Sequence, residues 1–162
     1  MKKYLLLSAF VFPLSLWAQY LLPNEEIIYS FETKNGKKMT LVKDKKEAYI
    51  QYRFGSKNRV EMEYPSERTE ESWKKFKYNS YYRGGGKQNA GMSLNYLTFT
   101  NNGYQYQIFK TYQAEDESYS TGVTVTDAKG KETDIDGIYK TIKGCLCRLD
   151  DSHLILKEDT GL

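Results

Sequence analysis

A chain of 162 residues, 40% hydrophobic and 15% aromatic, is long enough for one domain with a sizeable core. Its 24 basic and 21 acidic side chains are nearly balanced, which gives little appetite for nucleic acid or acidic surfaces. One histidine and two cysteines leave little material for a metal centre or a histidine-based catalytic site.

The first 18 residues stand apart. Lys2 and Lys3 precede an apolar run from Leu5 to Leu16 that Pro13 and two serines interrupt, and Trp17-Ala18 leads into Gln19. This is the pattern of a secretory signal peptide cleaved after Ala18, and the run is too short for a membrane-spanning helix. Export to the periplasm or out of the cell is expected. No cysteine lies near the cleavage point, so no lipid anchor is expected there. Without Lys2 and Lys3, 22 basic side chains face 21 acidic ones, a net charge of +1. Near-neutrality and export together argue against a nucleic-acid partner. No later segment is apolar for long enough to span a bilayer. Residues 19–147 read as a single β domain, and residues 148–162 as a peripheral tail around Leu154-Ile155-Leu156.

After a short lead, Tyr20 to Asn24, residues Glu25 to Thr33 read as a strand with Ile27, Tyr29 and Phe31 on one face. Asn35-Gly36 is a hairpin turn, because both central residues of a type I′ turn need positive φ. Lys38 to Lys43 returns, and a charged turn, Asp44 to Glu47, follows. Ala48 to Phe54 alternates, with Ala48, Ile50, Tyr52 and Phe54 inward and Tyr49, Gln51 and Arg53 outward. Gly55 to Asn58 turns the chain into Arg59 to Tyr64, which places Glu61 and Glu63 on the solvent side. Pro65 ends that strand by withholding a donor. A short helix is expected near residues 66–75, capped by Ser66, with Trp73 and Phe76 on one face. Phe76, Tyr78, Ser80 and Tyr82 then alternate as a strand.

The middle of the chain carries the sharpest signal. Asn102-Gly103 sets a hairpin in which Thr100 faces Gln105, Phe99 faces Tyr106, Thr98 faces Gln107 and Leu97 faces Ile108. One face is then apolar, with Leu97, Phe99, Tyr104, Tyr106 and Ile108. The other is polar near the turn and gains Leu94, Tyr96 and Phe109 farther away. Thr121 to Thr126 reads as a further strand, Lys131 to Ile135 as its return, and Ile138 to Cys147 as a last core strand. Short strands with glycine turns predict an all-β fold, a small antiparallel barrel or sandwich built of sequential hairpins.

Arg83 to Gly91 is a glycine-rich loop. A phosphate loop would need Gly-Lys-Ser/Thr opening a helix, and here Gln88 follows Lys87. Its functional reading is a binding loop: Tyr82, Arg83, Lys87, Gln88 and Asn89 are carried on Gly84, Gly85 and Gly86, which let the backbone approach a partner closely. Cys145 and Cys147 on an extended strand would sit too far apart for an easy bridge. A Cys-x-Cys bridge in non-extended backbone, two buried thiols and intermolecular pairing compete. Asp134-x-Asp136-Gly137 matches part of a calcium loop, but Lys143 stands where the closing carboxylate belongs, so a turn is expected. No cofactor is implied.

With no nucleophile-base pattern in view, the chain reads as a non-enzyme. It is expected to bind another exported or envelope protein in an inhibitor-like or immunity-like role. In scale and compartment it is similar to bacterial periplasmic lysozyme inhibitors, without a residue-by-residue match to their motifs. The alternative is a small-ligand or glycan carrier that uses exposed tyrosines for stacking, and an enzyme of unrecognised type is held in reserve.

Overall fold

A computed structural model describes residues 19–85 and 90–158. The chain forms β1 (Glu25–Glu32), β2 (Lys37–Asp44), β3 (Ile50–Ser56), β4 (Arg59–Tyr64), β5 (Lys77–Arg83), β6 (Met92–Asn101), β7 (Tyr104–Gln113), β8 (Ser118–Thr126), β9 (Glu132–Asp136), β10 (Lys143–Gly144) and β11 (Leu156–Lys157). They make two sheets. The first, in the order β10-β1-β2-β3-β4, is antiparallel; the second runs β11-β5-β6-β7-β8-β9, with β11 parallel to β5. The sheets pack face to face as an open sandwich rather than closing into a barrel.

The central hairpin has the expected register: Leu97 pairs with Ile108, Phe99 with Tyr106 and Asn101 with Tyr104. Asn102 and Gly103 carry the positive φ values of the turn, 50° and 79°. Leu97, Phe99 and Ile108 are buried, together with Tyr78 and Val123 from the flanking strands. Tyr29, Phe31, Met39, Leu41 and Tyr52 meet them from the first sheet. Tyr104, expected on this apolar face, is instead half exposed, because the hairpin tip runs past the core.

Four expectations need correction. The helix near 66–75 is a 3₁₀ helix, Glu70–Lys75, led by Thr69 without a side-chain cap. It is held instead from the sheet side: Ile50 N–H donates to Ser72 Oγ at 2.9 Å, and Trp73 Nε1 donates to the Glu47 carbonyl at 2.9 Å. The last core strand is broken into a 3₁₀ turn (Tyr139–Thr141), the two-residue β10 and a second 3₁₀ turn (Leu146–Leu149). The tail contributes Leu149 and Ile155 to the core and β11 to a sheet edge, so residues 148–158 are not peripheral. Ala48 is exposed, whereas Gln51 and Arg53, expected outward, are fully buried.

Gln51 and Arg53 are buried because other segments of the chain cover them. The lead segment and the turn after β4 lie across the outer face of the first sheet. Arg53 Nη1 donates to the Tyr20 carbonyl at 3.2 Å, Gln51 Nε2 donates to the Pro65 carbonyl at 2.8 Å, and the Tyr20 hydroxyl reaches the Ser56 carbonyl at 2.9 Å. Beneath them Arg53 forks onto both Glu25 carboxylate oxygens at 2.6 Å and closes on Glu63 through Nε at 3.2 Å. Arg68 reaches Glu63 from the side at 3.0 Å. Alternation can assign a residue to a face, but it does not say whether other chain covers that face.

Gly144 shows how tightly the short β10 docks. Its φ is +77°, and a Cβ there would lie 2.1 Å from the Ile28 carbonyl oxygen. Gly144→Ala is therefore expected to break the β1–β10 pairing and lower stability by about 2 kcal/mol or more, read by urea unfolding. A variant as stable as the parent would mean that this approach is not formed.

Candidate functional site

The second sheet changes character in steps from the hairpin tip to the opposite end. On its inner face the row Tyr78, Leu97, Ile108, Val123 is core. The next row is Ser80, Asn95, Lys110, Thr121, and the last is Tyr82, Ser93, Tyr112, Tyr119. Strands β5 to β8 thus outrun the first sheet, and the last row stands free of the core. Tyr82 is 78% exposed and Tyr119 54%.

The row is an aromatic shelf. The Tyr112 and Tyr119 rings lie 4.7 Å apart between centroids, and Tyr139, from the 3₁₀ turn after β9, stands 5.1 Å from Tyr119. Tyr112 and Tyr139 hydroxyls are held above their ordinary pKa, first by partial burial and then by Tyr119 beside them, so both stay neutral donors at physiological pH. Behind the shelf a polar step seals the core. The Tyr78 hydroxyl lies 2.9 Å from both Asn95 Oδ1 and Asp150 Oδ1, and Ser80 Oγ donates to the same Asp150 oxygen. Burial, then the Asp150 carboxylate, pushes the Tyr78 hydroxyl well above the usual tyrosine range.

The glycine-rich loop springs from the same end, since Arg83 pairs with Met92 across its neck. Arg83 does not project freely. Its Nε and Nη2 donate to the Ala90 carbonyl at 3.1 and 2.7 Å, which staples the two sides of the loop together. Ala114 N–H donates to the Gly91 carbonyl at 2.8 Å and adds a second tie. Gly84 and Gly85 are exposed; Gly86, Lys87, Gln88 and Asn89 lie outside the described residues. Of the binding residues expected from sequence, Tyr82 faces solvent on the shelf, and Arg83 shapes the loop.

The other sequence motifs fall elsewhere. Cys145 and Cys147 form a disulfide with a Cα–Cα distance of 5.1 Å. The 3₁₀ turn starting at Leu146 shortens the span that an extended strand would impose, so the bridged reading is the one adopted. Asp134 and Asp136, expected in a turn, lie on β9; Thr124 donates to Asp134 at 2.6 Å, and Lys34 pairs with Asp136 at 2.9 Å. Glu61 is paired with Lys37, and Glu63 is drawn into the Arg53 network rather than left on a solvated face.

The sequence reading missed Tyr112, Tyr119 and Tyr139 as neighbours. A signal was present for the first two. Extending the Asn-Gly register to Tyr112, then folding across Ala114 to Glu117, sets Tyr119 opposite it. Tyr139 arrives from a 3₁₀ turn that no periodicity marks. Comparison of the chain with known protein families, with curated proteins and with solved structures finds no match.

Proposed function

We propose that this is an exported protein that works by binding rather than by catalysis, in an inhibitor-like or immunity-like role, and that it engages another exported or envelope protein through the loop end of its second sheet. The observation that carries this reading is the free-standing tyrosine row, with Tyr82 and Tyr119 exposed on one ledge beside a stapled glycine loop. Tyrosine presents a large, rigid contact area at low conformational cost and ends in a hydrogen-bonding hydroxyl, and Gly, Ser and Asn supply adaptable contacts beside it. The shelf is fixed by sheet register, so little order must be gained on binding. The leader sequence supports export, and the open sandwich has its inner faces filled with side chains, which takes support away from a carrier with an internal cavity.

The test is recovery of partners from envelope and secreted fractions, and from lysozyme-type enzymes, on the immobilised protein. Tyr82→Ala and Tyr119→Ala are each expected to weaken the recovered interaction by about tenfold or more, with the fold unchanged by circular dichroism. Equal recovery by parent and both variants would reject the shelf as the contact surface.

A further inference from the structure

The outer face of the same sheet carries a second feature, about five residues along the strands from the tyrosine shelf, or roughly 16 Å. Two recesses adjoin beside β5, next to the short edge strand β11. One, of about 300 Å³, is bounded by Lys74, Lys75 and Lys77 with Thr98, Thr100 and Gln105. The other, of about 390 Å³, runs on past Asn79, Leu94, Tyr96 and Gln107. Lys77, Thr98 and Glu158 line both, so the Lys77–Glu158 pair at 2.7 Å is the ridge between them.

Register arranges these side chains as a grid. Thr100 pairs with Gln105, Thr98 with Gln107, and Tyr96 with Phe109, while β5 adds Lys77 beside Thr98 and Asn79 beside Tyr96. One end is therefore cationic, the middle holds hydroxyls paired with amides, and the far end is aromatic.

Two details show unspent binding capacity. Asn79 Oδ1 is buried without a hydrogen-bond partner among the described residues, while its Nδ2 donates to the Glu158 carbonyl at 2.9 Å. A buried acceptor of this kind costs free energy until a donor reaches it. Lys75 makes no ion pair or hydrogen bond among the described residues and feels only the more distant Glu67, while Lys74 and Lys77 hold exposed pairs with Glu71 and Glu158. Exposed pairs of this type exchange readily for a better anion.

We propose that this groove binds an acidic saccharide: a carbohydrate whose anionic group sits among Lys74, Lys75 and Lys77 and whose hydroxyls meet the Thr/Gln rows and Asn79. A bare anion would leave the amide rows and Tyr96 unused. A neutral sugar would leave Lys75 without a short-range anion and Lys74 and Lys77 in their exposed pairs with Glu71 and Glu158. A saccharide with a charged group uses all three zones, because its hydroxyls both donate and accept and its C–H face lies against an aromatic ring. A carboxylate, a sulfate ester and a phosphate ester share the needed charge. This site does not depend on the protein partner proposed for the shelf.

The experiment is titration of the chain, purified after export, with an oligogalacturonate, a sulfated oligosaccharide, a neutral oligosaccharide of the same length and inorganic phosphate, followed by amide NMR shifts and calorimetry. At least one acidic oligosaccharide is expected to bind about tenfold or more tightly than the neutral one, with shifts at Thr98, Gln107 and Asn79. Which acid binds better identifies the anion. Lys75→Gln and Tyr96→Ala should each weaken binding by about tenfold, and Tyr82→Ala should leave it unchanged. The proposal is overturned if no acidic oligosaccharide binds, if the neutral one binds as tightly, if inorganic phosphate alone competes at equal concentration, or if Tyr82→Ala abolishes binding. The last result would move the sugar site to the shelf.

Discussion

Glu25→Ala is expected to lower folding stability by about 3–5 kcal/mol, the loss typical of breaking one partner out of a buried ion pair. Both Glu25 and Arg53 side chains are fully inaccessible, and the guanidinium is bidentate on the carboxylate. The Tyr49 hydroxyl donates to Glu25 at 2.8 Å and Leu22 N–H at 2.7 Å, so every lone pair removed from water has found a donor. Without the carboxylate, the Arg53 charge stays buried with only Glu63, Gln51 and a carbonyl around it. The double variant Glu25→Leu/Arg53→Met should recover much of the loss, because an apolar pair of similar volume avoids the desolvation cost altogether. Urea unfolding of the three variants separates the cases. A Glu25→Ala protein within about 1 kcal/mol of the parent would mean that the network is not closed from water.

The same carboxylate makes stability depend on acid. Burial alone would push the Glu25 carboxyl up, but hydrogen bonds from Arg53, Leu22 N–H and Tyr49, with the Arg53 charge, more than offset it and hold the pKa below the ordinary carboxylate value. A depressed native pKa means that the unfolded chain takes up the proton first. The stabilisation is complete above the unfolded value of about 4.3 and is lost as pH falls through the native one. The gap in stability between the parent and Glu25→Gln should therefore narrow as the pH drops below about 4.3.

How much of this was legible depends on how local the signal was. The Asn102-Gly103 hairpin was readable to the residue, because turn chemistry and alternation both bear on one register. The β1–β2 hairpin was legible as a turn at Asn35-Gly36 but not in register, because only Gly36 takes positive φ and Glu32, not Thr33, pairs with Lys38. Gln51 and Arg53 were misjudged because nothing within β3 announces that Pro65 will lie over the first and Tyr20 over the second. The stretch from Ile138 to Cys147 misled for a different reason. Its apolar residues match a strand, but Gly144 in the left-handed region and a Cys-x-Cys bridge force turns that hydrophobic pattern does not encode. The site shows the same divide. Tyr82 and the loop were visible as composition, whereas the shelf exists only once β5 to β8 are aligned and found to be longer than the sheet they pack on. The basic groove needed still more, since Lys74 and Lys75 come from a 3₁₀ helix and reach Thr98 and Gln105 only through the fold.

Phe99→Ala is expected to have an effect of similar size, about 3–5 kcal/mol, for reasons that lie wholly in packing. Phe99 stacks between Tyr64 at 4.6 Å and Tyr106 at 4.8 Å, with Tyr52 at 5.0 Å and Phe76 at 5.3 Å meeting it from other directions. Those rings come from β4, β7, β3 and the segment after the 3₁₀ helix, so one side chain joins both sheets and the connection between them. Truncation leaves a cavity that four rigid rings cannot collapse into. Phe99→Leu keeps most of the apolar volume and should cost distinctly less, about 1–2 kcal/mol, since the cavity is mostly filled and only part of the ring–ring contact is lost. Urea unfolding gives the stabilities, and near-ultraviolet circular dichroism reports whether the tyrosine stack stays ordered. Because Phe99 lies between Thr98 and Thr100 and touches the rim of the recess beside Lys74 and Lys75, the Leu variant should fold yet show altered shifts at Thr98 and Thr100. An Ala variant that costs about 1 kcal/mol or less would show that the sheets do not meet through this ring.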